Sequence, residues 1–267
     1  PYAACIAVSA ALLLQALLFG DGGVLAFGAN CFNMAFVLPF AGYAAAKLVS
    51  SRLSGKNRDL IGAAVGSYIG INAAALCAAI EFGIQPMLFR NAAGQALYCP
   101  YDLSVAVPAM MAGHLTVFGA AEVIYTVAIL AFIKSAAPGR DFLHESAGPG
   151  AGVGASAAGS GTGARTPLGV KWLLGALIIA TPLGLLAEGT AWGEWGADEI
   201  AATGAGYTPA GMLEGFSLET MIPDYSVAGL PDWVGYVLSA VIGAAILLIL
   251  FKLLAAVPRG RRAHSAG

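Results

Sequence analysis

The sequence predicts an all-α, polytopic membrane protein of six transmembrane helices, a four-helix block followed by a two-helix hairpin. Three observations carry that expectation. Of 267 residues, 58% are hydrophobic and only 10% charged, with a mean hydropathy of +0.78; an ordinary soluble domain has about 45–50% and about 25%. The 13 basic and 15 acidic residues are too few to cover a water-facing surface of this length, which excludes a soluble globular enzyme, and a net charge of −2 excludes a nucleic-acid binder. The 36 glycines and abundant alanines suit helices packed closely inside a bilayer.

About 20 apolar residues cross a hydrocarbon core of about 30 Å. The first window, 1–19, is an uncharged apolar run, closed by the glycines of FGDGG, where Gly22 and Gly23 after Asp21 allow a tight turn. The second, 29–49, begins on GANCFNM and ends near Lys47. The third, 60–82, starts behind Arg58 and Asp59 and holds Glu81 near its far end. The fourth, 105–133, is longer than a crossing needs and carries Pro108, which is consistent with a short leading helix before the true span. The fifth and sixth are 171–187 and 233–257. Alanines at 44–46 and 73–75 permit close approach between helices.

With six spans and both chain ends cytoplasmic, Lys47, Arg52, Lys56, Arg58, Lys134, Arg140, Arg165, Lys171, Lys252, Arg259, Arg261 and Arg262 fall inside and only Arg90 outside. The positive-inside rule favours this arrangement, and an odd number of spans would break it. The outer segment 188–232 then carries Glu188, Glu194, Asp198, Glu199, Glu214, Glu219, Asp224 and Asp232 with no Lys or Arg. Such a segment is either a collar that concentrates cations or, more simply, an exported loop without positive charge.

Between the fourth and fifth windows, GPGAGVGASAAGSGTG has nothing to bury and reads as flexible coil. The domain expectation is therefore a transmembrane core at 1–135, a cytoplasmic Gly/Ala/Ser-rich linker at 136–167, a two-helix module with an acidic outer loop at 168–258, and a basic tail at 259–267. No internal repeat of the secondary-transporter kind relates the two modules. The chain opens at Pro1 inside an apolar run without the charged leader of a secretory signal. It is expected to begin within a larger protein.

Chemistry-bearing residues are few. There is no G-x-x-x-x-G-K-[ST] for nucleotide hydrolysis and no G-x-S-x-G or H-E-x-x-H. Cys5, Cys31, Cys77 and Cys99 lack zinc spacing; Cys31 and Cys99 share the outer side, though a free buried thiol is the simpler state for each. Polar groups at membrane depth are costly and mark candidate sites: Asn30, Asn33, Glu81, His114 and Glu122. Asn30 and Asn33 lie one helical turn apart, and Asn30 is equally suited to capping a helix start. His114 and Glu122 are roughly 80° apart around a helix and can both line a bundle interior. A lone histidine is more often an interhelical hydrogen-bond donor than a ligand for Co, Ni or Zn. Glu122 reads as a buried acid paired with a donor on another helix rather than an exchanging proton site.

LLLQALLFGDGGVLAFGANCFNMAFVLPFAGY at 12–43 and AVPAMMAGHLTVFGAAEVIYTVAILAFI at 106–133 resemble the CbiM family, the membrane-embedded capture components of cobalt energy-coupling-factor transporters, and their nickel counterparts of the NikM type. TPLGLLAEGTAWGEWGADE at 181–199 and PDYSVAG at 223–229 are similar to the C-terminal extension that stands in for a CbiN/NikN-like two-span partner. The resemblance covers nearly the whole chain apart from the linker. It implies a transporter subunit in the plasma membrane, not an enzyme, that captures Co²⁺ for cobalamin synthesis, with Ni²⁺ as the alternative cargo. It also implies no resident cofactor, and a transmembrane coupling subunit and two ATPase subunits as partners. The hairpin's outer loop is expected to reach over the capture block and assist loading.

The family's metal ligands are a free amino terminus, the histidine that follows it, and a further histidine before the LLLQALLFGDGG stretch. None is matched here, so no metal ligand is assigned; about two spans of the family pattern are expected to precede this chain. Asn30 and Asn33 match the family's GAN-x-x-N pattern as supports of the metal-binding loop, and His114 and Glu122 match its H-x-x-x-x-G-x-x-E pattern with a packing or hydrogen-bond role. Two other readings stand beside this one: a stand-alone secondary transporter or channel for divalent cations, with Glu122 as the central acid, and an assembly protein whose acidic loop docks a partner.

Overall fold

The computed structural model of the chain describes residues 1–136, 168–186, 192–216 and 218–256. Six helices have the length and composition of membrane spans: α1 (Tyr2–Phe19), α2 (Phe27–Arg52), α3 (Arg58–Leu88), α4 (Leu103–Ser135), α5 (Gly169–Leu186) and α6 (Asp232–Ala256). Among the described residues there is no β-strand. The protein is an all-α polytopic membrane protein. The expected linker from 137 onward, Glu188 and the basic tail lie outside the described residues.

The second, third and fourth helices are each several residues longer than the apolar windows that announced them. At 1.5 Å per residue, the 31 residues of α3 span about 46 Å, so its ends stand clear of a 30 Å core. Pro86 is accommodated in its last turn, where Arg90 donates from Nε to the Pro86 carbonyl. The fourth span is one continuous rod from Leu103 rather than a short leading helix and a separate crossing. Asp102 caps its start, accepting from the Ser104 N–H at 2.9 Å, and Pro108 sits inside the second turn, where it removes the N–H that would bond to the Ser104 carbonyl.

Three helices widen into π-helical turns: α1 at Gln15–Phe19, α2 at Cys31–Val37 and α4 at His114–Phe118. In α2 the cause is local. Pro39 has no N–H to give and its ring displaces the carbonyl four residues back, and just upstream Leu38 N–H bonds to Asn33 O, five residues back.

The block is held by a seam of small residues between α2 and α3. A Cβ on Gly66 would lie 2.5 Å from Gly42 O and 2.7 Å from the Ala46 Cβ, and one on Gly70 would lie 2.7 Å from Leu38 O. The two backbones thus approach as closely as glycine allows. Of the alanines that permit close approach, Ala46, Ala74 and Ala75 are buried, while Ala44 is exposed. At the end carrying Lys47, Arg52, Lys56 and Arg58, the buried Asp59 accepts from Lys134 Nζ at 2.6 Å and ties α3 to α4. Midway, Tyr68 donates its hydroxyl to Leu115 O at 2.9 Å, inside the α4 π-turn.

The hairpin meets the block mainly at the opposite, loop-bearing end. There Gly211 N–H donates to Leu97 O at 2.8 Å, Ala96 N–H to the Tyr207 hydroxyl at 3.0 Å, and Ile222 N–H to Leu18 O at 3.0 Å. Tyr101 donates to Thr203 O at 2.6 Å, and Trp192 packs edge-on against Phe82 and Trp195. The segment between α5 and α6 therefore reaches over the block, as the resemblance implied.

Candidate functional site

The loop joining α1 to α2 is dictated by its glycines. Gly20, Gly22 and Gly23 have φ of 77°, 73° and 66°, a left-handed path that residues with a Cβ resist. The path turns the Asp21 side chain back toward α1, where Gln15 Nε2 donates to Asp21 Oδ2 at 2.5 Å. The Tyr225 hydroxyl, from the hairpin, donates to the same oxygen. Asn30 then pins the loop to α2 by donating Nδ2 to Gly22 O at 3.1 Å; a Cβ on Gly22 would come within 2.8 Å of that nitrogen.

These residues enclose a cavity of about 240 Å³ whose polar wall is Gln15, Asp21, Asn30 and Glu194, with Leu12, Phe27 and the Met34 thioether completing it. Glu194 comes from the hairpin. Much of its side chain is exposed, but the part packed into the wall, and then the neighbouring Asp21 charge, push its carboxyl above the ordinary value. Burial, followed by the Asp21 hydrogen bond and charge, likewise raises the Tyr225 phenol, so it stays protonated and donates at neutral pH. The wall thus offers carboxylate and amide oxygens with one soft sulfur, a lining that attracts a cation and repels an anion.

A second cavity of about 170 Å³ lies between the end of α3, the 89–102 loop and the hairpin, lined by Phe82, Tyr98, Trp195, Met212 and Cys99. It is apolar. Burial raises the Cys99 thiol, and Gln85 Oε1 accepts the Cys99 N–H at 3.0 Å. All four cysteines are free, Cys31 and Cys99 included.

The residues singled out in the sequence divide between this site and the packing beneath it. Asn30 lines the cavity, but it is not a cap: its backbone is helical and the span has already begun at Phe27. Asn33 is buried and donates Nδ2 to Glu81 Oε2 at 2.7 Å, locking α2 to α3 directly below. Among the described residues its Oδ1 has no hydrogen-bond partner. His114 and Glu122 are not brought together with the cavity. His114 Nδ1 lies 2.9 Å from Met110 O, and since a carbonyl only accepts, that nitrogen carries the proton. The bond is within its own helix, not between helices as expected. Glu122 likewise accepts from Thr126 of the same helix at 2.9 Å, not from a donor on another.

In the sequence Asp21 reads as part of a turn and Glu194 as one of many acids, and neither Gln15 nor Tyr225 is singled out. Gln15 had a usable signal, a lone amide in an otherwise apolar span. Tyr225 had none, because its partner is 204 residues away. Among the described residues no group of three His, Cys, Asp or Glu side chains is placed to hold a metal ion.

Residues 1–140 match the family described as the cobalt uptake substrate-specific transmembrane region, and 168–259 match the PDGLE domain. A probable fused nickel transport protein of Lactiplantibacillus plantarum is 43% identical, covering 94% of this chain and 72% of that protein. A fused nickel transport protein of Rhodobacter capsulatus is also 43% identical, over 93% of this chain and 72% of its own length. A solved truncated transition metal transporter is 51% identical over 49% of this chain and 60% of that one, with a TM-score of 0.46.

Proposed function

We propose, for a chain that belongs to the CbiM family of cobalt-uptake substrate-specific transmembrane regions and carries a PDGLE domain behind it, the role of metal-capture subunit of an ATP-driven importer. The first module, 1–135, is the capture block, and 168–258 is the loading hairpin. The loop-bearing end faces outward and the lysine- and arginine-rich end faces the cytoplasm of a cell whose plasma membrane the six helices cross, following the distribution of basic residues. Energy comes from a separate coupling subunit and two ATPases, in keeping with a sequence that holds no phosphate-binding loop.

The single observation that carries this reading is that the hairpin closes a polar, carboxylate-walled cavity on the capture block. Asp21 and Glu194 raise the local concentration of divalent cations. Gln15 and Asn30 keep the loop in its left-handed path, and Met34 favours a borderline-soft ion over Mg²⁺ or Ca²⁺. The described residues act as a vestibule and not as the full ligand set. Cargo is Ni²⁺ or Co²⁺; the fused layout shared with two proteins named for nickel transport favours Ni²⁺ over the Co²⁺ that the sequence resemblance put first. Asn33 and Glu81 support the vestibule from below, while His114 and Glu122 hold α4 in shape.

The test is uptake of radioactive Ni²⁺ and Co²⁺ by cells making the full-length protein with its coupling and ATPase subunits. Uptake that stops when the ATPases lose their phosphate-binding lysines supports the reading. Uptake that persists without them and collapses with the proton gradient overturns it in favour of a secondary transporter.

A further inference from the structure

Two neighbouring non-glycine residues of the hairpin, Asp224 and Tyr225, have positive φ, at 51° and 58°. Left-handed backbone at a bulky residue costs energy and persists only where the surroundings over-determine it. Here they do so on every side. Tyr225 O meets Gly235 at the start of α6 so closely that a Cβ there would lie 2.3 Å away. Ile222 N–H is fixed to Leu18 O at 3.0 Å. The Tyr225 ring packs at a tilt against Phe19, with centroids 4.8 Å apart, and against Tyr236 at 5.6 Å. The product of this strain is one hydroxyl delivered to Asp21 Oδ2 from a segment otherwise remote in the chain.

We infer that Tyr225 is a positioning residue of the capture site: its hydroxyl, with Gln15 Nε2, clamps one oxygen of Asp21 and so holds the α1–α2 loop in the form that presents the carboxylate to the cavity. Among the described residues no donor reaches the other oxygen, Oδ1, which leaves it as the acceptor a passing cation meets. The inference rests on the capture reading above and adds to it a device: the hairpin does more than cover the block, because through one phenol it sets the geometry of the loop beneath it. Two donors on a single oxygen fix the carboxylate plane, whereas Gln15 alone leaves it free to rotate.

The phenol and its ring are separable. Tyr225→Phe keeps the packing against Phe19 and Tyr236 and removes only the hydrogen bond; Tyr225→Ala removes both. In the full-length protein with its partner subunits, Tyr225→Phe is expected to raise the half-saturating Ni²⁺ or Co²⁺ concentration about ten-fold, the scale of a hydrogen bond to a charged acceptor, with the maximal rate retained. Asp21→Asn combined with Tyr225→Phe is expected to be no worse than Asp21→Asn alone. A Tyr225→Phe protein indistinguishable from the parent, with Tyr225→Ala inactive, leaves only ring packing and overturns the inference.

Hydrogen–deuterium exchange of the 20–26 amides in the detergent-solubilised protein reads the loop without any transport. Faster exchange in Tyr225→Phe supports the positioning role, and unchanged exchange overturns it. If the parent itself takes up neither ion, the capture reading fails, and the exchange result still decides whether Tyr225 positions the loop.

Discussion

The α2–α3 pair and the α5–α6 hairpin cross the same membrane by different means. A third of the apolar window of α3 is buried inside the protein, and none of that of α5. The first pair is joined along its length by Gly42, Ala46, Gly66 and Gly70 and by Asn33–Glu81, and the Asp59–Lys134 pair ties α3 onward to α4. The hairpin presents Ile179, Leu186 and Leu253 outward and takes its fixed contacts mainly from the segment between its helices. Lipid tails are as apolar as leucine, so nothing drives two helices together except close packing and polar bonds. The block has both and is built as a scaffold. The hairpin is moored chiefly at its loop, so what it transmits passes through a few anchors: Glu194, which lines the cavity, and Tyr225, which bonds to the Asp21 of its wall.

Three changes break or sharpen that contrast. The largest effect is expected at Asp59, whose side chain is 5% exposed. Asp59→Ala strands the Lys134 ammonium at the block's basic end and is expected to cost about 3–5 kcal/mol, read as a lowered thermal midpoint in detergent. The Asp59→Ala, Lys134→Met double variant is expected to recover much of it. Next is the seam: Gly70→Leu forces a side chain into Leu38 O and should cost about 3 kcal/mol, because backbone cannot yield as a side chain can. The same substitution at Gly175 of α5, where a Cβ would meet nothing within 4 Å, is expected to leave the midpoint unchanged.

The smallest effect concerns Glu194. Its carboxyl is raised in the folded protein above the ordinary 4.5 by partial burial and by Asp21. The folded state therefore binds this proton more tightly than the unfolded chain does. The associated stability is fully present below pH 4.5 and is lost as pH rises through the raised value. Glu194→Gln is expected to flatten that part of the pH–stability curve, as measured by thermal unfolding between pH 4 and pH 7.

Much of this architecture was legible because the bilayer imposes it. Apolar length finds each span, and the window at 233–257 differs from α6 by one residue at each end. Lys47, Arg52 and Arg58 mark one end of the block as clearly in the sequence as in the fold. The site was legible only in part. Asn30 and Asn33 stand out because amides are rare at depth, yet their separate partners, Gly22 on the preceding loop and Glu81 on α3, are set by tertiary packing that local spacing does not show. His114 and Glu122 read in the sequence as groups bonded between helices, yet each bonds to a residue four positions away in its own helix, a local alternative that polarity at depth does not exclude. The contact of Tyr225 with Asp21 has no local signature at all, since burial and strain at 224–225 arise only after α6 packs against the loop.

The central claim is that this protein captures a borderline-soft divalent cation at its loop-bearing end. Its most direct test is the metal content of the full-length protein, purified from cells supplied with equal Ni²⁺ and Co²⁺ in excess Mg²⁺ and measured by mass spectrometry. Stoichiometric Ni²⁺ or Co²⁺ is expected, reduced in Asp21→Asn and in Tyr225→Phe. Retention of Mg²⁺ alone, or stoichiometric Ni²⁺ or Co²⁺ that neither substitution alters, would contradict it.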